Sequence, residues 1–181
     1  MVDRVVIVPY DREWPVLFSQ LGAALRKALG DIALRIDHIG ATSVPGMDAK
    51  PIIDIQISVR GFEPLDAFRL PIEGLGFVFR ADNPDLTKRY FRETPGERRT
   101  HIHVRRAGSW TEQFALLFRD YMRAHDEDAK HCAELKYRLA EQYAEDRRGY
   151  TDAKAPFTWE IMAKATEWSQ EIGWQPGPSD A

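Results

Sequence analysis

The chain has 181 residues, 44% of them hydrophobic, with a net charge of -3 and a pI near 6.0. That length permits one domain with a sizeable core, and the acidic balance excludes a wholesale nucleic-acid coat. No apolar run reaches the ~20 residues of a membrane-spanning helix, and a single cysteine, Cys132, permits no internal disulfide, so the expected compartment is the cytoplasm.

In chain order, residues 5–8 read as a strand closed by Pro9 rather than as a secretion signal. Asp11 then caps a helix on which Trp14, Leu17, Phe18, Leu21, Leu25 and Leu29 recur at helical spacing, and Gly30 ends it. Residues 33–39 form a short strand. Residues 52–59 form the strongest strand, its β-branched content marking it as central. A helix over residues 62–75 is interrupted by Pro71, and strands follow at 77–80, 87–92 and 100–105. The turn Thr94-Pro95-Gly96-Glu97 joins the last two as a hairpin.

From Trp110 the pattern becomes helical. Phe114, Leu117, Phe118 and Tyr121 make one stripe, and Ala133, Leu135, Leu139 and Tyr143 a second after Asp126. A third helix over residues 156–168 carries Phe157, Ile161 and Ala165. Residues 1–172 therefore read as a single α+β domain, with a mixed β-sheet, flanking helices and a helical C-terminal third. Residues 173–181 read as a flexible tail.

Charge is uneven along the chain. Residues 86–106 hold Lys88, Arg89, Arg92, Arg98, Arg99, Arg105 and Arg106 against Glu93 and Glu97, a net of +5 that leaves -8 for the remainder. A local positive surface on an acidic body suits a nucleotide or small phosphorylated ligand, not an extended nucleic-acid surface.

The stretch HIGATSVPGMDAKPIIDIQI, residues 38–57, concentrates the chemistry. Gly40 allows a sharp turn, and small Ala41, Thr42 and Ser43 let an anion approach backbone N–H groups. Val44-Pro45-Gly46-Met47 has type II turn chemistry, and Lys50 adds a cation. Asp54 sits in an apolar strand, where an ionised carboxylate needs a partner or a metal; Lys50 or an arginine is the structural candidate. Alternation puts Asp54 and Gln56 on one face and Ile53, Ile55 and Ile57 on the other.

His101 and His103 share a strand face by the same rule. They are candidates for phosphate contacts or acid/base groups near neutral pH, the alternative being a pair of partly exposed histidines on a sheet face. Tyr150 and Lys154 make Tyr-x-x-x-Lys, but no Gly-x-Gly-x-x-Gly accompanies it, so a nicotinamide dehydrogenase is excluded.

The segments VPYDREWP, HIGATSVPG, AKPIIDI, RYFRE, RTHIHV and YTDAKAPF, spread over residues 8–157, resemble the GrpB family of uncharacterised bacterial proteins. That family is assigned to the nucleotidyltransferase, DNA polymerase β-like, superfamily. The resemblance implies a nucleotidyltransferase-like fold that binds a nucleotide or related phosphate compound beside a divalent metal, with nucleotidyl transfer as the natural reaction. It implies Asp54 as the first metal-holding acid on the central strand. Gln56 stands where a second acid is usual, and His101 or His103 where a third acid is expected. The implied metal set is Asp54, Gln56 and His103, taking Mg²⁺ or Mn²⁺, with Zn²⁺ also suited to imidazole. His38, Gly40, Thr42, Ser43, Lys50, Arg89, Arg99, His101 and Lys154 are the expected phosphate or substrate contacts, and Tyr150 and Lys154 open the last helix. A catalytically degenerate phosphate-metabolite binding module, or an accessory domain linked to coenzyme A metabolism, is the alternative, favoured by Gln56. Five tryptophans leave room for a homodimer without requiring one.

Overall fold

The computed structural model describes residues 4–181, so the first three residues of the expected domain lie outside it. The elements are α1 (Glu13–Leu29), β1 (Arg35–Ile39), β2 (Ile53–Val59), α2 (Asp66–Glu73), β3 (Phe77–Phe79), β4 (Lys88–Glu93), β5 (Thr100–Arg106), α3 (Trp110–Ala124), α4 (Asp126–Gln142) and α5 (Arg147–Ile172). The five strands form one mixed sheet in the order β1-β2-β5-β4-β3, with β2 and β5 parallel and every other pair antiparallel. The α+β reading and the central place of residues 52–59 therefore agree with the fold.

Each sheet face has its own cover, and the period-2 alternation of β2 decides which. Ile53, Ile55 and Ile57, with Ile102 and Val104 of β5, pack against Trp14, Phe18, Leu25 and Leu29 of α1 and Phe68 and Ile72 of α2. The opposite face carries Asp37, Gln56, Ser58 and Arg105 (all polar), so an apolar helix would leave them without partners. Helix α3 covers it with two buried charged residues instead. Glu112 accepts from Ser58 Oγ and from the Gly108 amide, and Arg119 donates to the His38 carbonyl and to Asp180. Arg119 also lies 3.5 Å from Asp37, which Arg35 holds at 2.8 Å.

A second apolar cluster joins α3, α4 and α5 through Tyr121, Met122, Cys132, Ile161 and Met162. Val44 and Met47, from the loop between β1 and β2, are part of it, and Ala41 touches both clusters. The Met47 amide donates to the Val44 carbonyl and Gly46 has φ 75, which is the turn expected from Pro45-Gly46. The loop is thus fixed between the sheet and the C-terminal helices.

Three segments differ from expectation. Residues 5–8 make no strand: Val8 forms a single bridge to Ala49, while the Val5 amide donates to the carbonyl of Ala144, between α4 and α5. Helix α5 begins well before Pro156, because Asp146 accepts from the Gly149 amide and caps it there. Residues 173–181 are not a loose tail but line the outer edge of β1. The Ala181 amide donates to the Ile36 carbonyl, Ser179 Oγ accepts from the Ile36 amide, and Asp180 accepts from the His38 amide. An uncovered strand edge leaves backbone groups unpaired, and this segment pairs them.

The central strands carry the core. Ile55→Ala is expected to destabilise the fold by about 2–5 kcal/mol, whereas Leu86→Ala, at a residue 78% exposed, should stay within about 0.5 kcal/mol of wild type. Urea unfolding of both variants measures the contrast.

Candidate functional site

The parallel register of β2 and β5 sets Asp54 beside His101 and Gln56 beside His103. Alternation turns all four toward the face that α1 and α2 do not cover. His101 Nδ1 lies 3.2 Å and His103 Nε2 3.3 Å from the same oxygen, Asp54 Oδ1. The carboxylate remains 26% exposed and lines a cavity of about 370 Å³. It is therefore held by imidazoles and open to a cleft, not locked to Lys50 or an arginine.

Burial by itself would push the Asp54 carboxyl up. The hydrogen bonds from His101 and His103 outweigh that and hold it well below the usual carboxylate range. Burial pushes His103 down to about 4, against the opposing pull of Asp54, so its ring is neutral at pH 7 and its Nε2–H donates to Asp54. The other ring nitrogens, His101 Nε2 and His103 Nδ1, are buried without a protein partner among the described residues.

Gly40 closes the site from above. Its φ of 71 and ψ of -175 fall in a region essentially reserved for glycine. A Cβ there would stand 2.8 Å from Asp54 Oδ2. The turn thus lies directly on the carboxylate, which explains why a glycine precedes the small residues.

The cavity wall brings together Gly40, Thr42, Lys50, Asp54, His101, His103 and Lys154 of the expected site residues, with Lys136, Tyr150 and Thr151. Lys50 Nζ sits 4.7 Å from the Tyr150 ring centroid. Burial pushes the Lys50 ammonium down to about 8, with repulsion from Lys154 and Arg147 adding to it and Asp54 opposing. Lys136 is 4% exposed and donates to the Asp48 carbonyl; burial lowers it to about 8 as well. Lys136 was not among the expected residues. Its signal was a lysine on the apolar stripe Ala129, Cys132, Leu139 of α4. Tyr150, Thr151 and Lys154 reach the cavity because α5 starts at Arg147 and presents them on one face.

Other expected residues stand apart. Gln56 is fully buried; its Oε1 accepts from Arg105 at 2.5 Å and its Nε2 donates to the Glu112 carbonyl, so the amide is committed to α3 and β5 rather than to the cavity. His38 faces α1, stacked on Phe18 at 4.8 Å. Thr42 Oγ1 donates to the Ile52 carbonyl and so accepts from His38 Nε2, which braces the loop from behind. Burial pushes His38 down to about 4. Ser43 Oγ donates to the Gly40 carbonyl. Arg89 lies over the Phe62 ring, opposite Val104 and hence on the other sheet face from Asp54. Arg99 pairs with Glu93 at 3.0 Å and borders a smaller cleft shared with Lys50 and Arg147.

This arrangement bears comparison with known proteins. The family described as GrpB protein matches residues 4–164. The chain belongs to the GrpB family. The UPF0157 protein PA4798 of Pseudomonas aeruginosa is 40% identical over 168 residues, covering 90% of this chain and 68% of that protein. A dephospho-CoA kinase of Mycolicibacterium paratuberculosis is 33% identical, and the match covers 95% of this chain but only 48% of that protein. The crystal structure of the conserved protein GrpB from Enterococcus faecalis superposes with a TM-score of 0.83 at 29% identity, over 91% of this chain and 99% of that one. The structure of Cid1 in complex with its short product ApU gives a TM-score of 0.50 at 12% identity, over 75% of this chain and 43% of that one. The last likeness is one of fold, and this chain has a nucleotidyltransferase-like fold. No described helix is long and apolar enough to cross a membrane.

Two outcomes follow for this chain. Gly40→Ala should destabilise by about 1–3 kcal/mol and displace Asp54, visible as altered His101 and His103 side-chain NMR shifts. His38 and His103 titrate near 4 when folded and near 6.5 when unfolded. The unfolded chain therefore binds more protons between those values, so stability rises with pH across that window and is lost as pH falls through it. Urea midpoints measured from pH 4 to 7 check the sign.

Proposed function

We propose that this GrpB protein binds a nucleotide or related phosphate compound in the cavity beside Asp54. One observation carries the reading: three lysines, Lys50, Lys136 and Lys154, line with the carboxylate of Asp54 a cleft of about 370 Å³. Such a wall attracts anions, and partial burial strengthens the attraction. Lys50 and Lys154 hold the anionic oxygens, while Gly40, Ala41 and Thr42 line the same cavity. Thr42 and Ser43 act through the loop's shape, since both hydroxyls are used internally. The nucleotidyltransferase-like fold and the short dinucleotide product named for Cid1 support a nucleotide as the ligand class.

The two-acid metal arrangement that the superfamily implies does not fit these residues. Gln56 carries no charge, and its amide is already hydrogen-bonded to Arg105 and Glu112. That same commitment of Gln56 favours a second reading, a binding module that takes up a phosphate metabolite without turnover. The match to about half of a dephospho-CoA kinase supports a ligand from coenzyme A metabolism for such a module. This chain holds no Gly-x-x-x-x-Gly-Lys-Ser/Thr loop with which to perform a P-loop kinase reaction itself.

Calorimetry with ATP, GTP, CTP, UTP and dephospho-coenzyme A, in chelator and with Mn²⁺, tests the proposal. At least one should bind, and Lys50→Gln or Lys154→Gln should weaken it about tenfold, ~1.4 kcal/mol. Affinity should fall as pH rises through about 8, where Lys50 loses its proton. Absence of binding by all five, with circular dichroism showing folded protein, overturns the proposal. Binding of dephospho-coenzyme A alone selects the second reading.

A further inference from the structure

The carboxylate and the two imidazoles form a donor set that the central-strand acids of the superfamily do not. Asp54, His101 and His103 each offer one ligand atom, and these atoms lie within 4.8 Å of one another. Both nitrogens approach one oxygen at 3.2 and 3.3 Å. Two ligands bonded to one ion at 2.0–2.1 Å with tetrahedral angles are about 3.3 Å apart, so the two nitrogen–oxygen separations match edges of such a site, and the two nitrogens, within 4.8 Å of each other, close on the ion by small side-chain rotations. Two nitrogens and one oxygen suit borderline transition ions over Mg²⁺, which prefers oxygen throughout. The strand register keeps the set in place: Asp54 and His101 are direct partners on β2 and β5, and His103 follows on the same face.

Charge adds a second constraint. The cavity already holds three lysines and one carboxylate. A divalent cation added alone would raise the positive excess at close range, where the dielectric is low. An anion spanning the ion and the lysines removes that excess.

We infer that Asp54, His101 and His103 hold one borderline transition-metal ion, of the Zn²⁺, Mn²⁺ or Co²⁺ class, and that this ion loads together with a phosphate-class anion bridging it to Lys50 and Lys154. The inference deepens the anion-binding reading above and rests on it for the lysine partners. It replaces Gln56 by His101 in the metal set and makes the site one-metal. Binding of ion and anion is reciprocal, each raising the affinity of the other by the same factor.

Equilibrium dialysis of the full chain against Co²⁺, alone and with inorganic pyrophosphate, tests it, with bound metal measured by mass spectrometry and its coordination by visible absorption. One Co²⁺ per chain is expected, with the intense bands of low coordination number, and pyrophosphate should tighten it at least tenfold. A Co²⁺–pyrophosphate chelate held by the lysines alone would also carry metal to the protein, but equally in His101→Asn and His103→Asn, so only tightening that both histidine variants abolish counts as coupling. His101→Asn and His103→Asn should each lose the ion, Gln56→Leu should keep it, and Lys154→Gln should keep the ion but lose the coupling. Binding equal in wild type and in both histidine variants overturns the metal site, and an affinity unchanged by pyrophosphate overturns the coupling. Nucleotide binding that persists in chelator while Co²⁺ fails to bind leaves the anion reading standing and removes this inference alone.

Discussion

The site rests on a single carboxylate kept ionised inside a sheet. Asp54 sits on the central strand, where a bare charge would be expensive. Two imidazoles from the parallel neighbour, both aimed at one oxygen, supply the compensation. The parallel pairing of β2 and β5 is therefore more than a feature of topology. Sliding β5 by one residue would turn His101 and His103 to the apolar face and leave the acid alone.

The surroundings follow from that constraint. Gly40 must be a glycine because the turn after β1 rests on the Asp54 carboxylate, closer than a Cβ allows. The turn itself is braced on both sides. Behind it, neutral His38 stacks on Phe18 and holds Thr42; ahead of it, Val44 and Met47 are buried in the cluster of the C-terminal helices. Because that loop belongs to both apolar clusters, the helices that carry Lys136, Tyr150 and Lys154 are positioned by the same residues that position the acid. Packing and chemistry share one loop.

Gln56 illustrates how a polar face can be structural. It stands two residues from Asp54 and points the same way, which made it a metal-ligand candidate. Its amide instead links Arg105 of β5 to the Glu112 carbonyl of α3. Ser58 and Glu112 continue that network, and Arg119 with Asp37 and Asp180 forms another beside it. Helix α3 thus docks on the sheet through satisfied polar groups, with the cavity left open where that coverage ends.

Much of this was legible in the sequence. Alternation along residues 52–59 separated the isoleucine face from the Asp54 face, the glycine before three small residues marked the close turn, and His-x-His marked a shared strand face. These are local properties, set by backbone periodicity and side-chain size, and every residue carries them wherever it goes. The order β1-β2-β5-β4-β3 was not legible, nor the partnering of Asp54 with His101, because register depends on contacts between distant segments. Lys136 and the early start of α5 were missed for the same reason: a lysine on an apolar stripe and a cap at Asp146 gain meaning only once the helix has a cavity to face. The C-terminal residues looked like a tail because glycine and proline disfavour helix and strand, yet an open strand edge nearby gave their polar groups partners. Sequence determined which residues could do chemistry here. Tertiary structure decided which of them meet, since a charge buried in a sheet is stable only beside the partners that folding brings to it.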